Sequence, residues 1–279
     1  MACRYVNRFS WEPTGDSHDV DIMRPLTCLT VLVIGFAVLY TAPSARAQDI
    51  GAPALLPLSG LDIPSPVLEP FLATYEAQYH GKPAGSATMR VVHEHGAQWR
   101  VDLGIEGRRG MAGVLGLNLQ QSTAFDVIGD AYRPLGQSTV RKGLFMGRKS
   151  VGTYDWGSAS ARWQGDLKSK HRQPVALQPG DMSGLLINLA IIRDARPGAV
   201  LRYRFVEGGR VRDHIYEVAA ESETVTLGEL SYSTLRVART NGGNDDTVLW
   251  VAQGVPTPVR ILQREDGEDA VDLRLIEYK

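Results

Sequence analysis

Apolar and polar residues alternate with a period of two over most of this chain. Phe71, Ala73, Tyr75, Ala77 and Tyr79 fall on one side of such a run, with Thr74, Glu76, Gln78 and His80 between them. That is the spacing of a strand with one buried face. A turn through Gly81, Lys82 and Pro83 leads to a second run from Ser86 to His93, which points Ala87, Met89 and Val91 inward. A third run beyond Gly96 interleaves Trp99, Val101, Leu103 and Ile105 with Arg100, Asp102 and Glu106. Three strands joined by short turns predict a meander. Further strands are expected at 121–128, 131–141, 149–156 and 159–163, then at 201–207, 211–219, 231–240, 247–251, 258–264 and 270–278. Gly129-Asp130, Gly157-Ser158, Gly208-Gly209, Asn241-Gly242-Gly243 and Glu265-Asp266-Gly267 separate them, and such residues accept the positive φ of tight hairpins.

Two segments break the period. Between residues 107 and 118, four glycines (Gly107, Gly110, Gly113 and Gly116) interrupt Met111, Val114, Leu115 and Leu117. Glycine costs a helix about 1 kcal/mol per residue, so this segment reads as an irregular cover over an opening of the sheet. Residues 181–193 instead place Met182, Leu185, Leu186, Leu189 and Ile192 at helical spacing, with Asp181 as the expected cap and Arg196-Pro197-Gly198 as the stop. One helix among so many strands has to bury its apolar face against the sheet. The expected fold is therefore mainly β, a single curved antiparallel sheet of about a dozen strands forming a barrel or half-barrel, with one buried helix near 181–193.

The first 70 residues follow neither period. Met23-Arg24-Pro25 leads into the apolar run from Leu26 to Tyr40, which ends at Ser44-Ala45-Arg46-Ala47. A cationic start, a short apolar stretch and a small-x-small exit predict a secretory signal peptide cleaved after Ala47, with Met1 or Met23 as the start. The run falls short of the ~20 residues that a helix needs to cross a bilayer, so no permanent transmembrane anchor is expected after cleavage. Pro53, Pro57, Pro64, Pro66 and Pro70 make residues 48–70 an extended tether. The expected organisation is an extension plus signal peptide at 1–47, the tether at 48–70 and one β domain at 71–279. This predicts a periplasmic protein.

Both cysteines, Cys3 and Cys28, lie in the segment expected to be removed, so a disulfide-free mature domain must rely on its core. The chain carries 30 Lys and Arg against 31 Asp and Glu, a formal charge of −1. That balance lacks the basic excess of a nucleic-acid binder.

Candidate chemistry is sparse. His93 and His95 flank Glu94 on one strand face, but no third ligand stands at a recognisable spacing. Gly85-Ser86, Gly157-Ser158 and Ser183-Gly184 lack the strand-to-helix elbow of a serine nucleophile. The adjacent carboxylates Asp245-Asp246 and Glu265-Asp266 do not face one another across a site. No catalytic residue, metal ligand or cofactor site is assigned. Two leads remain. Arg141, Lys142, Arg148 and Lys149, followed by Lys168, Lys170, His171 and Arg172, make the middle of the chain basic, a composition that attracts anionic lipid or polysaccharide. The second lead is a set of large side chains that a curved sheet could turn toward a cavity. Tyr75, Met89, Trp99, Met111, Leu115, Phe125 and Trp250 are the candidate ligand-lining residues.

The run Phe71-Leu72-Ala73-Thr74-Tyr75-Glu76-Ala77 with Gly85 a strand later, the segment Gly180-Asp181-Met182-Ser183-Gly184-Leu185-Leu186, and Leu249-Trp250-Val251 followed by Pro258-Val259-Arg260-Ile261 and Leu273-Arg274-Leu275 resemble the exported bacterial proteins grouped as domain of unknown function 3108 (DUF3108). The resemblance implies a periplasmic antiparallel β protein, similar in fold to the half-barrels of the lipoprotein carriers LolA and LolB, and carries over no catalytic residue. The leading expectation is a non-enzymatic binder of an amphipathic, lipid-like or glycan component of the cell envelope. A structural or assembly factor contacting another envelope protein is the alternative, and a hydrolase comes last.

Overall fold

The computed structural model describes residues 67–108, 118–142 and 147–279. The expected signal peptide, most of the tether, and residues 109–117 of the glycine-rich segment lie outside them. Eight strands run in order through β1 (Phe71–Tyr79), β2 (Lys82–His95), β3 (Gln98–Gly107), β4 (Asn118–Ile128), β5 (Ala131–Lys142), β6 (Gly147–Asp155), β7 (Ser160–Gly165) and the two-residue β8 (Val175–Ala176). The second half comprises β9 (Asp181–Met182), helix α1 (Gly184–Asp194), β10 (Val200–Glu207), β11 (Arg210–Val218), β12 (Glu223–Leu227), β13 (Leu230–Arg239), β14 (Thr247–Ala252), β15 (Arg260–Glu265) and β16 (Glu268–Tyr278).

All sixteen strands belong to one sheet, in the order β8-β7-β6-β5-β4-β3-β2-β1-β16-β15-β14-β13-β11-β10-β9, with β12 paired to β13 off this path. Two meanders, antiparallel except where the short β9 runs parallel to β10, are thus joined where the first strand meets the last, with Tyr75 opposite Leu275 and Ala77 opposite Leu273. The strands outnumber the expected dozen. The surplus comes from the short β8 and β9 and from β12, whose residues are mostly exposed or half-buried. Turn chemistry explains the tight connections: Gly208 and Gly209, at φ 60° and 71°, form the β10–β11 hairpin, and Asp266 and Gly267, at 52° and 83°, form the β15–β16 hairpin, both in the conformation that matches strand twist.

Strand alternation places the core as expected. In β1, Phe71, Ala73, Tyr75 and Ala77 are buried and the residues between them are half-buried. One row of paired residues crosses the concave face from Phe71 through Val91, Val101, Thr123, Gln137 and Gly152 to Trp163. Gly152 is required there, because a Cβ would stand 2.2 Å from the Trp163 indole nitrogen.

Helix α1 lies within the curve. Leu185, Leu186, Ile187, Leu189, Ala190 and Ile191 are all buried, so it is covered on more sides than the single apolar face expected. Its cap is Ser183, whose hydroxyl accepts the Leu186 amide, and the expected cap, Asp181, is corrected. The Asp181 carboxylate is fully buried in β9 and holds Arg204 with both oxygens, at 2.5 and 2.6 Å. An ion pair satisfies a buried carboxylate better than one backbone amide does.

The sheet is not closed by a backbone ladder. Its two ends meet through side chains instead: Tyr154 donates its hydroxyl to the Val206 carbonyl at 2.6 Å, and Tyr154, Ala161, Trp163, Leu177 and Val206 form a small apolar cluster of their own. The result is a half-barrel with a side-chain seam.

Candidate functional site

On the face of the sheet opposite α1, two rows of paired residues run across β2 to β5. One is Ser86, Glu106, Asn118 and Lys142; the other is Thr88, Gly104 and Gln120. Together with Arg108 and Gly107 they line a cleft of about 520 Å³, which is also bordered by Ala87, Ile105 and Leu119 from the alternate row whose register belongs to the concave face. Among the lining residues, Gly104 interrupts β3 without a side chain. A Cβ built there would meet only the Thr88 hydroxyl, at 3.4 Å, and no backbone.

The lining offers two hydroxyls, two carboxamides and two cations, Arg108 and Lys142, against one carboxylate, Glu106, which Arg108 pairs with. The Arg108 amide donates to the Ala84 carbonyl at 2.8 Å, so β3 stays tied to β2 up to the lip of the cleft. Its size falls in the ~300–1,000 Å³ range of small-ligand sites. Hydroxyls and amides with an excess of positive charge suit an anionic molecule that also carries hydroxyl or carbonyl groups.

The residues expected to line a cavity are distributed differently. Tyr75, Met89 and Phe125 are fully buried in the core. Tyr75 and Met89 converge on Thr257, whose hydroxyl meets the Tyr75 hydroxyl and the Met89 sulfur; Tyr75 also donates to the Pro258 carbonyl at 3.0 Å. Burial raises the Tyr75 pKa, offset in part by the Thr257 bond. Trp99 pairs with Phe125 on the same face and packs its ring on His93 at 4.6 Å.

Trp250 is not among them. Its neighbour Leu249 continues through Ile261 and Leu273 to Ala77, whereas Trp250 continues through Arg260 and Arg274 to Glu76 on the other face. There Arg260 covers its ring at 4.6 Å, and its indole nitrogen donates to Glu223. Met111 and Leu115 lie outside the described residues. Gly104 and the polar residues around it went unnoticed in the sequence; the available signal was an isolated glycine inside the chain's clearest alternating run.

Elsewhere, perturbed groups have structural partners. Burial raises the Glu207 pKa although the Gly184 amide donates to its carboxyl at 2.9 Å. His214 lies flat on Phe205 with ring centroids 4.6 Å apart, and burial first, then Arg239 and Arg212, lower its pKa to about 3. His93 bonds to the Gly96 carbonyl at 2.8 Å. Among the described residues no three His, Cys, Asp or Glu side chains gather where they could hold a metal ion, and no helix is long and apolar enough to cross a membrane.

A family model described as protein of unknown function (DUF3108) matches residues 74–274. The β-barrel-like protein of domain of unknown function DUF1849 from Brucella abortus is similar in structure, with a TM-score of 0.48 and 10% identity, covering 76% of this chain and 98% of its own. No curated protein matches.

Proposed function

From the premise that this chain belongs to the DUF3108 family of proteins of unknown function, we propose that it is an exported periplasmic protein that binds, without converting, an anionic amphipathic component of the cell envelope. The site is the cleft over Gly104. Lys142 and Arg108 supply charge for a phosphate or carboxylate. Ser86, Thr88, Asn118 and Gln120 supply donors and acceptors for hydroxyls or carbonyls, and Ile105 and Leu119 border the cleft from the alternate row. The observation that carries this reading is a ligand-sized cleft of mixed lining on an otherwise continuous sheet face. Export is supported by the leader pattern ending at Ala47. Binding without turnover is supported by the partners found for Glu207 and His214, neither of which lines the cleft.

Native mass spectrometry of protein purified from its own envelope tests the proposal, with Gly104→Trp as the comparison. Because the space at residue 104 opens into the cleft, the indole is expected to fill it and leave the fold intact. The expected result is a bound, negatively charged amphiphile on the wild type and an apo mass for the variant. A clean apo mass for both, or the same adduct on both, would refute it.

A further inference from the structure

At one end of the concave face, β10, β11 and β13 gather polar side chains whose hydrogen-bonding groups the fold leaves mostly unused. Leu201 stands opposite Tyr216, Tyr216 opposite Arg239, and Tyr203 opposite His214. Val237, which precedes Arg239 on the same face, continues through Leu249 into the core rows, so strand alternation keeps the whole set on the side of α1. Arg239 and His214 are each 9% exposed. Their contacts are long. Arg239 Nε lies 3.4 Å from the Asn241 side-chain oxygen, which already accepts the Ile215 amide at 3.1 Å, and the Tyr216 hydroxyl lies 3.5 Å from His214 Nδ1. Good hydrogen bonds to nitrogen run about 2.7–3.2 Å.

Elsewhere the protein pairs its buried charges: Asp181 is held by Arg204, and Asp272 by Arg260 and Arg274. Arg239 has no such ion pair among the described residues. The carboxylates that act on it have other partners, since Asp245 accepts the Asp266 amide at 3.2 Å and Asp246 faces Arg264 at 3.9 Å. Burial is the largest influence on the Arg239 pKa and lowers it; Tyr216 raises it, Arg212 lowers it, and Asp245 and then Asp246 raise it. The balance is downward, so these neighbours do not compensate the desolvated cation. After burial, Arg239 and Arg212 are also what lowers the His214 pKa, and the imidazole stays neutral.

We infer that Arg239 anchors a second binding site, on the concave face, for a monocarboxylate carried on an apolar body. A buried guanidinium with one long hydrogen bond is costly to keep, and its remaining donors form a planar fork that fits both oxygens of a carboxylate. The neutral imidazole of His214 adds a donor when its Nδ1 accepts from Tyr216, because the ring proton then sits on Nε2. Half-buried Leu201 and Phe205, the latter stacked on His214 with ring centroids 4.6 Å apart, supply apolar surface on the same face. One negative charge suits the site better than two: Arg239 and Arg212 balance the first, and a second would meet the field of Asp245 and Asp246. The cleft lies on the opposite face of the sheet, and this site stands independently of what the cleft holds.

The test is an NMR titration of the full-length protein at neutral pH with three probes: sodium octanoate, 1-octanol, which has the apolar body without the charge, and sodium acetate, which has the charge without the body. Octanoate is expected to shift the Arg239 Nε–H and His214 ring signals saturably. Octanol and acetate are each expected to bind at least about tenfold more weakly. Arg239→Met, which breaks no ion pair, is expected to lose octanoate binding by at least about tenfold. His214→Phe keeps the stacked ring and removes the donor; it is expected to weaken binding severalfold, and it carries the comparison if Arg239→Met does not fold. Gly104→Trp is expected to keep octanoate binding, which separates this inference from the cleft reading. Thermal melts confirm that each variant is folded. Absence of a saturable shift at the two signals, equal affinity for octanol, binding retained in both Arg239→Met and His214→Phe, or loss in Gly104→Trp would each overturn it.

Discussion

At His214 and Glu207 the protein holds two titratable side chains away from water with opposite consequences for stability. The folded His214 pKa, about 3, lies below the ordinary 6.5, so the unfolded chain takes up the proton first. The stability linked to this residue is complete above pH 6.5 and is lost as pH falls toward 3. His214→Phe keeps a ring against Phe205 and is expected to flatten the decline of the denaturation midpoint between pH 6 and 4; an unchanged slope would contradict the assignment. Glu207 has its pKa raised from 4.5, so its linked stability is complete below 4.5 and is lost as pH rises through the folded value. Glu207→Gln keeps an acceptor for the Gly184 amide and is expected to raise the midpoint at neutral pH while changing little at pH 4. Neither residue announced this role in the sequence, because burial on the concave face depends on which strands pair and on where α1 packs. Gly104 was more nearly legible. Its neighbours Leu103 and Ile105 alternate correctly, and a missing side chain between them is a local fact whose meaning appears only when Thr88 and Gln120 are placed on either side.

Helix α1 shows how far the pattern of an element carries. Its hydrophobic spacing located it to within a few residues, but Asp181 and Ser183 are both good capping types two positions apart, and only the distant Arg204 decides between them. Ser183 does more than cap, since its hydroxyl lies 3.0 Å from that of buried Thr123 in β4, linking the first turn to the sheet. Ser183→Ala is expected to lower unfolding free energy by about 1–2 kcal/mol, the usual range for a lost cap. In a double-mutant cycle with Thr123→Val, chemical denaturation is expected to give a coupling above about 0.5 kcal/mol; additive losses would mean that the two hydroxyls act separately. Strand β12 was missed for a related reason. Glu223, Thr224, Val225, Thr226 and Leu227 are exposed or half-buried, so burial imposes little pattern on them, and the strand is specified by its partner β13. The two-residue β8 and β9 are shorter than any periodicity can register.

Across the whole molecule the sheet has one strong join and one weak one. Where β1 meets β16 the backbones form a ladder from Ala73 and Tyr278 to Tyr79 and Val271. Where β6 and β7 face β10 no ladder forms, and the halves are held by the Tyr154 hydroxyl, the Trp163 cluster and the approach of His171 to Gly209. Local opening follows the paths with the fewest buried interactions, so the seam is expected to open before the β1–β16 join. In native-state hydrogen exchange, amides of β6 and β7 should exchange at lower opening free energy than those of β1, β2, β15 and β16. Tyr154→Phe removes one cross-seam hydrogen bond, a loss of about 1 kcal/mol, and is expected to speed exchange in β6, β7 and β10 while leaving the β1–β16 amides protected. Uniform acceleration everywhere would mean that the half-barrel opens as one unit.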